Sequence, residues 1–311
     1  AVTLSGGGGA DLLSATNSLN VTFSFADTTN YGGSTASGSA LGANTLAFAQ
    51  GVTFNDGNFT NSSNIQTLAL NGTAGSNVTV GSVGATTGFT TVTAAGATTG
   101  SIITLGNFSN SISFIGSAGN DTFVVGNESG FTSASSINAG AGTADVISYG
   151  IAGAVNDSIF QKITAGTAEV LSATSSNTIT VGSNALNAGI RTFSAGTDAV
   201  AFTVSSGFGT NGMNLTGSTN SDTFNFVDGS AFSNSTIAGG VGTADSIMFA
   251  GAVTVTSIAN VSNVETIYLN GSSSSTLTIG NGGLAGTNSL TISGTAAANS
   301  IDASSRTSGA I

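Results

Sequence analysis

An all-β fold is what this sequence predicts, on three observations. Strand-sized runs alternate strictly between apolar and hydroxylated residues, good helix formers are nearly missing, and three landmarks recur in fixed order along the chain. The first such run is Val21-Thr22-Phe23-Ser24-Phe25, followed by Asn77-Val78-Thr79-Val80. Thr178-Ile179-Thr180-Val181 and Ala201-Phe202-Thr203-Val204 continue the pattern. The last third adds Val253-Thr254-Val255-Thr256, Thr276-Leu277-Thr278-Ile279 and Ser289-Leu290-Thr291-Ile292. A period of two gives each strand one buried face and one hydroxyl-bearing face. Between the runs lie Asp56-Gly57, Asn71-Gly72, Asp228-Gly229 and Asn270-Gly271, residues that tolerate positive φ and make turns. Glu, Lys, Gln, Arg and Met are scarce, so helices have little to nucleate on.

Composition removes many functions. Only 5% of the 311 residues are charged, against about 25% in an average protein. Fourteen acids and three bases give a net charge of −11. Cys, Pro, His and Trp are absent, which excludes thiol nucleophiles, disulfides, imidazole bases and Ser-His-Asp triads within this chain. Lys162, Arg191 and Arg306 cannot form the basic stripe that neutralises phosphates, so no nucleic-acid partner is expected. Mean hydropathy is +0.32, which argues against disorder. No apolar stretch reaches the length of a membrane-spanning helix. Neither an initiator Met nor a basic leader opens the sequence, so either a leader has been removed or export uses another signal. Small uncharged residues without Cys suit bulk export to the cell surface. With no Pro and almost no Lys, the chain also lacks the usual devices that blunt sheet edges.

Internal repeats carry the organisation. Gly116-Ser117-Ala118-Gly119-Asn120-Asp121-Thr122-Phe123 recurs as Gly217-Ser218-Thr219-Asn220-Ser221-Asp222-Thr223-Phe224. An earlier copy is Gly6-Gly7-Gly8-Gly9-Ala10-Asp11-Leu12-Leu13, and a worn fourth runs from Gly294 to Ile301, with Asn299 in place of the Asp. Their starts are separated by 110, 101 and 77 residues. Gly142-Thr143-Ala144-Asp145-Val146-Ile147 matches Gly242-Thr243-Ala244-Asp245-Ser246-Ile247, with Gly42-Ala43-Asn44-Thr45-Leu46 as a weaker counterpart. Asn260 to Gly271 matches Asn61 to Gly72, and both lead into a Thr-x-(Val/Ile)-Gly strand. Three diverged units follow, at 1–110, 111–211 and 212–311, without linkers between them.

These motifs resemble the pattern G-G-x-G-x-D-x-U-x of RTX calcium-binding β-rolls, where U is a large apolar residue. Gly6 to Leu13 fits throughout, Gly116 to Phe123 departs at Ser117, and Gly217 to Phe224 departs at Ser218 and Asn220. Gly239 to Ile247 carries one extra residue before its Asp. The whole chain is similar to the β-strand-repeat proteins of bacterial surface layers. The resemblance implies a secreted or cell-surface structural protein, calcium-dependent and self-assembling. It also implies, together with the 23- and 24-residue spacing of the paired aspartates, a right-handed parallel β-solenoid of β-roll type, elongated in form. Units near 100 residues are equally the size of a β-sandwich, so tandem sandwiches are the alternative.

Asp11, Asp121, Asp145, Asp222 and Asp245 are the candidate calcium ligands. Glycines let carbonyl oxygens converge while the Asp adds a carboxylate, and calcium takes six to eight such oxygens. The competing reading is that these aspartates cap turns by accepting backbone N–H groups. Glu169 and Glu265 precede strands and read as ligands, cross-strand partners or solvated carboxylates. No catalytic residue is expected: paired carboxylates exist, but a sugar cleft lacks its aromatic platform. The 18 Phe read as core. Gly6 to Gly9 is no phosphate loop, because no Lys-Ser/Thr follows it. Sequons such as Asn20-Val21-Thr22 and Asn127-Glu128-Ser129 are expected by chance at this composition.

The expected function is an extracellular structural subunit that polymerises into a layer or filament through strand edges and the chain termini, Val2-Thr3-Leu4-Ser5 and the stretch after Ile301. Cell-surface polysaccharide is a further expected partner. The alternatives are an adhesin or ice-binding solenoid, whose flat Thr face needs a constant repeat interval, and a passive stalk of a larger exported protein.

Overall fold

The computed structural model describes residues 2–126, 134–150, 152–164, 169–173, 176–280, 289–295 and 298–304. They fall into two compact units, Ala1–Gly150 with Lys162–Glu169, and Ile151–Gln161 with Val170–Ile311. These units cut across the sequence repeats at 1–110, 111–211 and 212–311 and do not coincide with them. Both are parallel β-solenoids. Described strand pairs are parallel, which rules out the tandem antiparallel sandwich.

In the first unit an eight-stranded sheet stacks Val2–Ser5, Val21–Phe25, Thr45–Phe48, Thr67–Leu70, Thr91–Thr93, Ser113–Ile115, Ser136–Asn138 and Ile163–Thr164 in sequence order. Each coil returns through one or both of two other sheets. The early coils use Leu12–Ser14, Thr35–Ser37 and Ser62–Ser63. The later ones use Thr53–Phe54, Asn77–Val80, Ile102–Leu105, Thr122–Val125 and Val146–Tyr149.

Register follows from the apolar alternation. Phe23 stands opposite Leu46, Leu46 opposite Leu68, Leu68 opposite Val92, and Val92 opposite Phe114. All of these are buried. Each contributes about 1.5–3 kcal/mol by leaving water, and a one-residue slip would turn the whole column outward. The outward column in the same strands is hydroxylated: Thr22, Thr45, Thr67, Thr91, Ser113 and Ser136 lie rung upon rung. Phe25, Tyr31, Phe48, Phe54, Phe59 and Phe89 form a chain of ring contacts 4.8–6.2 Å between centroids. The described Phe residues are core, as expected.

The second unit repeats the plan. One sheet stacks Gly153–Val155, Asn177–Val181, Ala201–Val204, Thr223–Phe226, Ser246–Phe249, Thr266–Leu269 and Thr291–Gly294. The buried column Ile179, Phe202, Phe224, Ile247 and Ile267 holds its register. Returning strands are Ile190–Ala195, Asn214–Thr216, Thr236–Ala238 and Val261–Ser262, and, in the last coils, Thr254–Val255, Thr276–Thr278 and Ser300–Asp302.

Among the described residues the α-helices are short corner turns, Thr28–Tyr31, Ser82–Thr87, Ser183–Asn187 and Gly229–Phe232. Asp27 and Asp228 begin two of them by accepting N–H groups from Asn30 and Ser230, each at 2.9 Å. No helix among the described residues is long and apolar enough to cross a membrane.

Candidate functional site

A parallel ladder leaves a problem at every corner. The residue just before a strand has an N–H that reaches toward the next rung but meets no strand carbonyl there. This protein answers with a side-chain acceptor at the same position one rung later. In the first unit Val52 N–H donates to Ser76 Oγ at 3.2 Å, Ser76 N–H to Ser101 Oγ at 3.1 Å, and Ser101 N–H to Asp121 Oδ1 at 2.6 Å. Asp121 N–H then donates to Asp145 Oδ1 at 2.8 Å. In the second unit Val200 N–H donates to Asp222 Oδ1 at 2.6 Å, Asp222 N–H to Asp245 Oδ1 at 2.7 Å, and Asp245 N–H to Glu265 Oε2 at 2.8 Å. Other corners use the same device: Asp11 N–H donates to Ser34 Oγ, Val253 N–H to Ser275 Oγ, and Ser275 N–H to Asn299 Oδ1.

All five aspartates singled out in the sequence hold this pre-strand position. Asp121 and Asp145 come together in neighbouring rungs, 24 residues apart, and Asp222 and Asp245 do so 23 apart. Asp11 meets none of the other four. Asp121 and Asp222 are fully engaged. The Oδ2 of Asp121 accepts from Ser117 N–H at 2.6 Å and Ser117 Oγ at 2.9 Å, and Asp222 does the same with Ser218 at 2.6 and 2.9 Å. Asp11 accepts Gly7 N–H at 2.8 Å in the same manner. The glycine five residues earlier is explained too: a Cβ on Gly116 or Gly217 would collide with that Oδ2 and with the carbonyl of Ala139 or Gly239. Gly140 and Gly240 lie at φ 100° and 110°, where an L side chain is strained.

Asp145 and Asp245 differ. Both are fully buried, and each has an Oδ2 without a hydrogen-bond partner. Burial pushes the Asp145 carboxyl above the usual range; the Asp121 N–H opposes this and the Asp121 charge adds to it. Asp245 is pushed up to about 6, mainly by burial and further by the charges of Asp222 and Glu265. The first repeat shows what this place accommodates when neutral. There Asn44 donates its Nδ2 to the carbonyls of Ser39, Gly42 and Asn64 at 2.7, 3.3 and 2.7 Å, and its N–H donates to Gln66 Oε1 at 2.7 Å. Asn44 and Gln66 thus stand where Asp245 and Glu265 stand in the third repeat. The Nδ2 lies against Gly38 and the Asn64 carbonyl as the Asp245 Oδ2 lies against Gly239 and the Asn263 carbonyl. Asn64 and Asn263 share the left-handed conformation, at φ 52° and 50°.

Glu265 is therefore a cross-rung partner, and the Glu169 side chain lies outside the described residues. No three carboxylates are grouped as a metal cage among the described residues. Two further aspartates hold a role the sequence reading does not give them, Asp56 being read only as part of a turn and Asp157 not at all. Asp56 accepts N–H groups from Gly81, Val83 and Gly84 at 2.7–2.8 Å, clamping the start of Ser82–Thr87 from the rung before. Asp157 does the same to Gly182, Asn184 and Ala185 at 2.6–3.1 Å. The signal was present: Asn55-Asp56 and Asn156-Asp157 each precede a Val-Gly-Ser by the same interval.

On the outward face of the second unit, a groove of about 430 Å³ is lined by Gly153, Ser176, Asn177, Thr178, Ala201 and Thr223. It opens where Ala201 interrupts a column of hydroxyls. The chain matches no protein-family model, no curated protein and no solved structure.

Proposed function

We propose that this protein is an extracellular structural subunit, exported to a bacterial surface, that self-assembles through strand edges into a layer or filament. The observation that carries this reading is the row of unpaired strand edges inside the chain. Among the described residues, Ser62–Ser63 is bonded on one side only, to Thr35–Ser37, and Thr254–Val255 is bonded on one side only, to Thr276–Thr278. An unpaired, uncharged strand edge is a template for another chain. A head-to-tail contact that does not close on itself grows without limit. The core is spent on packing and most of the described acids accept backbone N–H groups, so the reading needs no catalytic group.

Calcium enters at Asp145 and Asp245. The unpartnered Oδ2 of each is the oxygen available to a cation, with backbone carbonyls as the other ligands, and a bound ion would offset the burial of charge. Surface polysaccharide fits the hydroxyl-lined groove at Thr178 and Thr223. Electron microscopy and sedimentation of the purified chain, with calcium and then with chelator, test the proposal. Ordered polymers that dissolve on chelation support both parts, polymers indifferent to chelation remove calcium, and monomers throughout sink the structural reading.

A second reading has a specific observation behind it. The repeat intervals of 110, 101 and 77 are irregular, yet Thr22, Thr45, Thr67 and Thr91 stand in perfect register. Regular hydroxyls on one face suit an ice- or surface-binding module, and ice shaping by the monomer would favour it.

A further inference from the structure

With no Pro and a single Lys, this chain must shield the sheet edges inside it by other means. Helical corners do so. Tyr31, in the corner Thr28–Tyr31, packs on Phe54 of the edge strand Thr53–Phe54 with ring centroids 5.6 Å apart. Gly229, at the start of the corner Gly229–Phe232, lies against the edge strand Thr254–Val255, where its Cβ would stand 3.8 Å from the Thr254 nitrogen. The corner Ser82–Thr87 covers a third such edge, Ser62–Ser63. Thr87 Oγ1 donates to the Phe59 carbonyl at 3.2 Å, and the Thr87 carbonyl accepts the Ile65 N–H at 3.0 Å.

This last cover leaves space beneath it. Ala36 N–H donates to the Asn61 carbonyl at 3.2 Å and Gly38 N–H to the Ser63 carbonyl at 2.9 Å. Those bonds fix the side that faces Thr35–Ser37, and alternation turns the N–H and carbonyl of Ser62 the other way, toward the corner. There a groove of about 250 Å³ separates Phe59, Thr60 and Ser62 from Ser82, Val83 and Thr86. Phe59 and Val83 are its apolar surface, the rest contribute hydroxyls, and no ionised side chain lines it.

The corner itself is held from a distance. Ser82-Val83-Gly84-Ala85-Thr86-Thr87 is mostly poor helix formers, and Gly81 before it has no side chain to cap it. Asp56 does this instead from the preceding rung, accepting the N–H groups of Gly81, Val83 and Gly84 at 2.7–2.8 Å. One carboxylate thus fastens the cover without lining the groove.

We infer that the corner Ser82–Thr87 is a latch on the Ser62–Ser63 edge, an inference that rests on the polymer reading above. Closed, it keeps a second copy of this chain off the strand. Released from Asp56, it yields the strand to an extended segment of that copy, whose backbone pairs with the N–H and carbonyl of Ser62. The groove suits such a segment: it offers no charge to an ionised partner, and this chain is built of uncharged Ser, Thr, Ala and Val runs. Only the open fraction can pair, so the apparent dissociation constant is the intrinsic one divided by that fraction, and freeing the latch lowers it.

Sedimentation against protein concentration tests this on the parent, Asp56→Ala, Asp56→Ala with Ser63→Lys, and Asp222→Ala. Asp56→Ala is expected to lower the concentration at which polymer appears by about tenfold or more. Ser63→Lys places a charge on the exposed face of the edge strand and is expected to cancel that gain. Asp222→Ala weakens the other unit and is expected to leave the onset where the parent has it. Faster amide exchange at Val83 and Gly84 shows the corner open, and Asp56→Asn takes the place of Asp56→Ala if the latter does not fold. Parent polymers whose onset the Asp56 variant leaves unchanged overturn the latch and leave the structural reading standing. A gain that survives Ser63→Lys, or that Asp222→Ala matches, does the same. Parent and latch variant both monomeric at their highest soluble concentration overturn both.

Discussion

Asp245 shows how one atom sets a pH dependence. Its carboxyl titrates near 6 in the folded chain and near 3.8 when unfolded, so the folded state binds the proton more tightly. The stability this proton contributes is fully present below the unfolded value. It is lost as pH rises through about 6, and Asp145 acts in the same direction. Replacing Asp245 with Asn restores the amide that Asn44 already provides to three carbonyls in the first repeat. Asp245→Asn should therefore match the parent near pH 4 and exceed it by about 2 kcal/mol near pH 7, the cost of a buried unsatisfied polar atom. Urea unfolding in chelator at the two pH values measures this, and equal gains at both would refute it. Asp222 is the opposite case. It satisfies Val200 N–H and both donors of Ser218, so Asp222→Ala should cost about 3 kcal/mol at neutral pH, read in the same titration. The sequence made these residues visible because Asp follows Gly at a fixed distance. It could not say that Asp121 and Asp145 share one line of bonds, since the partner is a backbone N–H carried by any residue type.

At the scale of the element, the strands were legible and the corners were not. Val21–Phe25, Asn77–Val80 and Ala201–Val204 form where alternation placed them, because each inward Phe or Val has a buried neighbour one rung away. The helical corners Ser82–Thr87 and Ser183–Asn187 contain Gly, Ser, Thr and Asn, poor helix formers with no local pattern. They are helical because Asp56 and Asp157 reach from the preceding rung and hold three N–H groups each, a contact across 25 to 28 residues. Removing that carboxylate should unwind the corner before the strands. Asp56→Ala is expected to cost about 2–3 kcal/mol and to speed amide exchange at Val83 and Gly84 specifically. Uniform loss of protection across the unit would show that the clamp is not local.

For the whole molecule the governing quantity is charge. Each copy carries −11 at neutral pH, and no basic patch exists to receive a neighbour's acids. Only 5% of the residues are charged, so strand edges carry few ionised groups. Attraction between copies at such edges is therefore short-ranged, made of hydrogen bonds and apolar contact, while repulsion between copies is long-ranged and screenable. The Debye length falls from about 30 Å at 0.01 M salt to about 8 Å at 0.15 M, so the repulsive part weakens over that range and the attraction does not. The critical concentration for assembly should drop as sodium chloride rises across it, the reverse of a contact built on ion pairs. Calcium at matched ionic strength should lower it further only if the ion occupies Asp145 and Asp245, and Asp145→Asn with Asp245→Asn should erase that excess while leaving the sodium effect intact. Sedimentation of polymer against salt, with both cations and both proteins, separates the screening from the site. Assembly that weakens with sodium chloride would mean that the contact between copies is electrostatic, which a chain with three bases against fourteen acids does not support.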